Sequence, residues 1–323
     1  MPSILIARAR ALKPVLKGVL TWIPGAYETL YDRHAGGGTD QADYCYGVWL
    51  KHLTFLWENG MRSMPETVLE LGPGASLGIG LAALMSGASR YVAVDVVRWA
   101  RQATNAVVLR DLIALFQARA PRPTKSWPDY DPYLDRRLFP GHILDEERLG
   151  RSLAADRLAG LAEAIRSLES GPGGPTIRYE TWGDYERVGE GQADLVISHA
   201  VLQHATDLER VYDSCRRWLK PGGWMSHQID FTAHGVTDVW NGHLEYSERV
   251  WAMVAGRRAY FLNREHCSTH LALLRANGFD VVSVIRNSRR DGLDRSRLAR
   301  RWRYMSDEDL TCAGALIQAR KRA

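Results

Sequence analysis

Apolar residues in this chain fall in short blocks separated by glycine, proline and polar clusters. Val68, Leu69 and Leu71 form one block, interrupted only by Glu70, and Gly72-Pro73-Gly74 ends it. Leu77–Ser86 then reads as a helix of small and apolar residues, and Tyr91–Val94 as a second apolar strand closed by Asp95. Blocks this short and continuous suit strands buried on both faces, as in a parallel sheet layered by helices. The same pattern predicts strands at Thr176–Glu180, Asp194–His199, Trp224–Ile229, Phe279–Ile285 and Cys312–Ala319. Between them it predicts helices at about Arg98–Ala118 and Leu149–Leu168, one that follows Ala200–His204 and runs through Leu219, and one at Arg264–Asn277. Strands alternating with helices imply an α/β sheet, mostly parallel and flanked by helices. Residues 1–63 read as an N-terminal helical cap and 64–323 as the sheet domain, with insertions at about 120–148 and 230–262.

The bend after the first strand carries the most chemistry. Glycines let a backbone approach a ligand closely, and a helix start offers unpaired N–H groups. Dinucleotide enzymes place a pyrophosphate there with G-x-G-x-x-G. Here the spacing is Gly72-x-Gly74-x-x-x-Gly78, one residue longer, and Glu70 sits where an anion would be repelled. A negative charge suits a cationic ligand portion, such as the amino group of a methionine moiety. Asp95, ending the second strand, can accept hydrogen bonds from both hydroxyls of a ribose.

Taken with two later segments, this pattern resembles the class I S-adenosylmethionine-dependent methyltransferases. E-L-G-P-G-A-S-L-G matches their acidic-x-Gly-x-Gly motif, with Ser76 in place of a further glycine. D-L-V-I-S-H-A-V-L-Q-H, from Asp194, resembles their fourth motif, and W-L-K-P-G-G-W the turn before strand five. The resemblance implies a Rossmann-like fold, its seven-stranded sheet mostly parallel with an antiparallel last strand, and S-adenosyl-L-methionine as cofactor. It implies cofactor contacts at Glu70, Gly72, Pro73, Gly74, Ser76, Asp95, Val96, Trp182, Ser198 and His199. Trp182 falls where the family contacts adenine, and His199 near the sulfonium end. The wider pattern, including S-H-Q-I-D-F-x-x-H-G and W-N-G-H, is similar to bacterial methyltransferases of surface-polysaccharide and glycoconjugate synthesis.

A hydroxyl is a poor nucleophile at neutral pH, so methyl transfer to it is helped by a general base, usually histidine. His204, at the start of the helix after strand four, is the candidate base, with a capping or packing role as the alternative. His199 is the second catalytic candidate. His227, Asp230, His234, Trp240, Asn241 and His243, in and after strand five, are the acceptor candidates. They include metal-ligand types, but their spacing matches no established metal signature, and no metal is expected. The expected function is O-methylation of a sugar hydroxyl on a glycan or lipid-linked glycoconjugate. A small-molecule natural-product methyltransferase is the enzyme alternative. A non-catalytic cofactor-binding regulatory or assembly subunit is the alternative of another class.

Composition narrows the remainder. A chain of 323 residues, 46% hydrophobic and 24% charged, can bury a full core. Its formal charge of +5 is modest, and no N-P-P-Y-type turn follows strand four, so nucleic acid is not an expected partner. Cys45, Cys215, Cys267 and Cys312 are widely spaced, which fits a reducing cytoplasm. Residues 4–23 are apolar but carry Arg8, Arg10, Lys13 and Lys17 throughout, unlike a signal peptide. They read as a helix packed on the domain or as a basic amphipathic helix on anionic lipid, so residues 1–24 are a candidate peripheral membrane contact. The arginine-rich stretch 286–303 reads as a solvated loop or an anion clamp. Residues 120–143, with prolines among Trp127, Tyr130, Tyr133 and Phe139, read as an ordered insertion or a disordered one.

Overall fold

The computed structural model describes residues 12–25, 37–123, 138–167, 177–182 and 187–322. Residues 1–11, most of the proline-rich stretch and the loop after Trp182 lie outside that set, and with them Trp127, Tyr130 and Tyr133.

The sheet has seven strands: β1 (Thr67–Leu71), β2 (Arg90–Asp95), β3 (Ile177–Thr181), β4 (Ala193–His199), β5 (Leu219–Asp230), β6 (Phe279–Ser288) and β7 (Cys312–Lys321). Their order is β3-β2-β1-β4-β5-β7-β6. Neighbours pair in parallel from β3 across to β5, and β7 runs antiparallel to both β5 and β6. This is the Rossmann-like, mostly parallel sheet with an antiparallel last strand that the resemblance implies. The order reverses direction between β1 and β4, and open α/β sheets bind ligands in the crevice at such a point.

Alternation along each strand splits the core into two layers. Val68, Tyr91, Ala93, Leu195 and Ile197 face one layer, and Leu69, Val92, Val94, Val196 and Met225 face the other. The first layer lies under helices α2 (Ala42–Glu58), α3 (Gly78–Met85) and α4 (Gln102–Gln117). The second lies under α7 (Leu208–Trp218) and α9 (Cys267–Ala276). Helix α2 is buried from Cys45 through Leu56, its polar residues Lys51, His52 and Thr54 included, so it packs as a layer of the sheet's own core. All of α3 is buried too, and its glycines are contact surfaces. A Cβ on Gly80 would lie 2.1 Å from the Tyr91 ring, and one on Gly78 would lie 2.4 Å from Cys45 Sγ. All four cysteines are buried free thiols.

Several boundaries differ from the sequence expectation for local reasons. The stretch expected as one helix over 149–168 is two, α5 (Glu146–Ser152) and α6 (Ala155–Ser167), and the first starts early because Asp145 caps it by accepting from Arg148 N. After β4 the chain makes only a short 3₁₀ turn at Leu202–His204, and α7 begins at Leu208 behind the Asp207 cap. Strand β5 starts at Leu219, ahead of Lys220-Pro-Gly-Gly. Its register moves from Ala193↔Leu219 to Leu195↔Trp224, so those four residues bulge out of the ladder. Gly80→Ala would drive a methyl into the Tyr91 ring, and we expect a loss of about 1–3 kcal/mol in urea unfolding. An unchanged midpoint would show that the ring can move aside.

Candidate active site

The bend Gly72-Pro73-Gly74 closes β1. Gly72 (φ +65°) and Gly74 (φ +75°) occupy the left-handed region, which costs glycine nothing. Gly72 N donates to Val94 O at 2.8 Å, tying the bend to β2. A Cβ on Gly72 would come within 2.6 Å of a Val201 methyl, so the residues after β4 close against the bend.

Neighbouring side chains already hold much of this backbone. Ala75 N donates to Thr39 Oγ1 at 2.8 Å, Leu77 N to Asn105 Oδ1 at 2.8 Å, and Gly78 N to Ser76 Oγ at 3.0 Å. The expectation of unpaired N–H groups at the start of α3 is therefore corrected: Asn105, Ser76 and Thr39 take them. Thr39 and Asn105 come from distant segments, and the local motif gave no sign of them.

Glu70 lies beneath the bend, 2% exposed. Its Oε2 accepts from the Tyr91 hydroxyl at 2.5 Å, and Gly80 N also bonds it. Burial pushes its pKa up to about 8 against those two bonds, so the carboxyl is largely protonated at neutral pH. Asp95 ends β2 with its Oδ1 accepting from Val96 N at 2.7 Å, and Gly74 and Val97 bond it through their N–H groups. Burial raises its pKa while the three backbone bonds work to lower it. Just beyond it Val96, Val97 and Trp99 are exposed apolar side chains on one loop. Trp182 is half-buried at the end of β3, its ring 6.0 Å from Trp218 in the second core layer.

Residues at the ends of β4 and β5 divide between the faces of the sheet. His199 faces α2: its Nδ1 is 3.3 Å from His52 Nε2, and its ring meets Tyr44 edge-on at 5.9 Å. His52 Nδ1 lies 2.7 Å from Ser226 Oγ, and the Gln318 amide is 3.1 Å from the same hydroxyl. Burial, then the neighbouring His199, holds His52 well below the usual histidine range, so it is neutral. Ser198 and His227 face the other layer, 2.8 Å apart and 1% exposed each, and burial lowers His227 to about 3. They sit inside the core, without a face on the surface.

The segment behind β5 gathers the remaining candidates. His204 Nδ1 is 3.0 Å from the Tyr260 carbonyl oxygen, and its ring meets His234 at 5.2 Å. His234 Nε2 is 3.1 Å from Asp230 Oδ2. His243 is 3% exposed and its Nδ1 has no partner, as is true of Trp240 Nε1. Asn241 is spent on structure: its Oδ1 accepts from Leu293 N at 2.6 Å and its Nδ2 donates to Leu293 O. Ala200, His234 and Tyr260 all carry positive φ, a cluster of strained non-glycine residues around one place. Among the described residues no group of three or more His, Cys, Asp or Glu side chains could hold a metal ion.

Most arginines of the 286–303 stretch are exposed, as a solvated loop would have them, yet ion pairs and buried side chains tie the stretch down. Arg286 pairs with Glu308, Arg297 with Glu245, and Arg301 with Glu265 at 2.6 Å and Glu248 at 3.3 Å. Leu293, Leu298 and Trp302 are buried against Leu244, so the stretch is stapled over the segment behind β5.

A family model described as a methyltransferase domain matches residues 150–226, from the end of α5 to the middle of β5. No curated protein matches. Among solved structures the chain is similar to one described as a sarcosine dimethylglycine methyltransferase from Galdieria sulphuraria. That likeness has 13% identity, 85% of each chain covered and a TM-score of 0.45. It is also similar to an S-adenosylmethionine-dependent methyltransferase from Mesorhizobium loti, at 15% identity, with 79% and 90% covered and a TM-score of 0.38. A third is a SAM-dependent methyltransferase from Methanosarcina mazei, at 12% identity, with 83% and 97% covered and a TM-score of 0.41.

Two outcomes follow from the bend. Asp95→Ala should abolish S-adenosylmethionine binding in calorimetry, and retained binding would refute a ribose-holding role. Glu70 has a folded pKa of about 8 against about 4.3 unfolded, so the folded state binds the extra proton. Its contribution is complete at low pH and is lost as pH rises through that window. Glu70→Gln should therefore flatten the decline in melting temperature between pH 5 and 8, and an unaltered slope would assign the decline elsewhere. Residues 150–226 thus match a methyltransferase domain, and that segment sits within a Rossmann-like sheet whose first strand ends in the glycine bend.

Proposed function

We propose that the enzyme methylates a sugar hydroxyl of a glycan or lipid-linked glycoconjugate, with His204 as general base. The observation that carries this reading is the bond between His204 Nδ1 and the Tyr260 carbonyl. A carbonyl oxygen only accepts, so Nδ1 holds the proton and Nε2 keeps a bare lone pair. Burial, then the nearby His234, pushes the His204 pKa down to about 4, which keeps the ring neutral at cellular pH. Low basicity is no obstacle here, because a hydroxyl becomes far more acidic as its oxygen is alkylated.

When bound, S-adenosylmethionine supplies an electrophilic methyl group on a sulfonium. The residues at the bend fit such a ligand. Asp95 offers a carboxylate to a ribose diol, and Val96, Val97 and Trp99 offer an apolar surface to a purine. Val201, packed against Gly72, carries the chain from the bend directly toward His204. There Nε2 accepts the hydroxyl proton, while Asp230, paired to His234, supplies negative charge beside the new imidazolium.

The test combines turnover with product mapping. His204→Ala should keep cofactor affinity while turnover falls about 10²–10⁴-fold. In the wild type, kcat/KM should stay level from pH 8 toward 5 and fall only as His204 is protonated near 4. Methyl label from the cofactor should appear in a glycan or glycolipid fraction. Unchanged turnover in the variant would remove His204 as base, and label confined to other fractions would remove the sugar acceptor.

A further inference from the structure

Residues 12–20 form a helix, α1, that packs against α8 (Glu248–Ala255) with its smallest residues. Gly18 sits so close that a Cβ there would lie 2.0 Å from Met253 O and 2.3 Å from Val254 O. Thr21 Oγ1 donates to Gly18 O at 2.5 Å and accepts from Arg257 N at 2.8 Å. Pro14 is buried on this same side, and Val15 is half-buried against Trp251, Val254 and Leu262.

The large residues point the other way. Leu12, Leu16, Val19, Leu20, Trp22 and Ile23 are all exposed, Leu16 and Trp22 by 62% each. Met253, on the outer side of α8, extends the same apolar surface at 44% exposure. An ordinary surface helix turns its bulky apolar stripe inward, and this one is inverted. A contiguous apolar face of that kind marks a docking surface.

Charge identifies the occupant. Residues 12–25 contain Lys13 and Lys17 and no carboxylate, and the Arg257 guanidinium lies over the Trp22 ring at 5.9 Å. Two copies docked through this face would bring like charges together, whereas anionic lipid complements them. Tryptophan flanked by basic residues is also the composition that suits the bilayer–water boundary.

We propose that α1 and the outer side of α8 form a docking face for an anionic bilayer. The face is one helix away from the acceptor segment. Trp251, on the inner side of α8, stacks on Phe261 at 5.1 Å and meets His243 at 6.2 Å. Docking would therefore hold the segment of Asp230, His234 and His243 close to the lipid surface, where the head group of a lipid-linked acceptor lies. This last step rests on the acceptor proposed above, whereas the docking face stands without it.

Co-sedimentation of the full chain with vesicles tests the docking. The chain should bind phosphatidylcholine vesicles containing phosphatidylserine, bind pure phosphatidylcholine weakly, and lose affinity as salt rises. Leu16→Asp combined with Leu20→Asp should weaken binding by at least about tenfold. Val107→Asp, exposed on α4, should leave it unchanged. Melting temperature and cofactor affinity of each variant establish that the fold is intact. Equal binding to neutral vesicles, no binding, or full binding by the double variant would overturn the proposal. A dimer in light scattering that the double variant dissolves would overturn it too, assigning the face to a second copy. Turnover on a soluble glycan, measured separately, reports on the acceptor, so the two readings fail independently.

Discussion

A buried carboxyl holds this architecture together at its most sensitive point. Glu70 leaves β1 into the layer under α2 and α3, where water cannot reach it, and two partners satisfy it there. One is the Tyr91 hydroxyl on β2 and the other is Gly80 N on α3. An ionised carboxylate in that place would be costly, and its raised pKa shows how the molecule avoids the cost. Three elements are thereby pinned to one side chain. Because Gly80 has no Cβ, the Tyr91 ring can lie directly beneath α3, which brings the helix down onto the sheet. The height of α3 in turn sets the bend, and the bend sets where Gly74 meets Asp95. The geometry of the bend and the packing of the core are a single constraint here.

The motif was read from sequence as a surface cradle, yet half of it is foundation. Gly72, Gly74 and Asp95 stand at the bend as the spacing implies, and Glu70 supports it from below. Strand order and the β-α-β unit were legible because continuous apolar blocks leave few other solutions. What escaped were contacts made across long sequence separations. Thr39 reaches Ala75, Asn105 reaches Leu77, and His52 reaches His199. Nothing in the local pattern of α2 sets His52 apart from Lys51 or Thr54, its equally buried polar neighbours. The arginine-rich stretch was only partly legible for a related reason. Its charges are conspicuous in the sequence, but Leu293, Leu298 and Trp302 decide its position by packing.

The segment behind β5 is built differently from the bend. Around the bend nearly every polar group has a partner, as a preformed cradle requires. Behind β5 the molecule tolerates positive φ at Ala200, His234 and Tyr260 and leaves His243 Nδ1 and Trp240 Nε1 buried without partners. Unpaired buried polar atoms cost on the order of 1–3 kcal/mol each. Such costs also occur elsewhere in the described residues, at Thr67 Oγ1, Ser214 Oγ and His270 Nε2 among others, so behind β5 it is their coincidence with positive φ that sets the segment apart.

The position of α8 makes the same point about access. Its inner side carries Trp251 against His243, and its outer side carries Met253 beside the exposed face of α1. One short helix thus separates the segment behind β5 from an apolar, cation-flanked surface. On the proposed reading, a polar head on a lipid anchor would use both at once. Asp230 ends β5, and its partner His234 opens the segment that leads to α8. The distance between the two surfaces is then a helix diameter, about 10 Å. Such spacing suits a head group standing just above the acyl boundary, where an interfacial helix buries its apolar side.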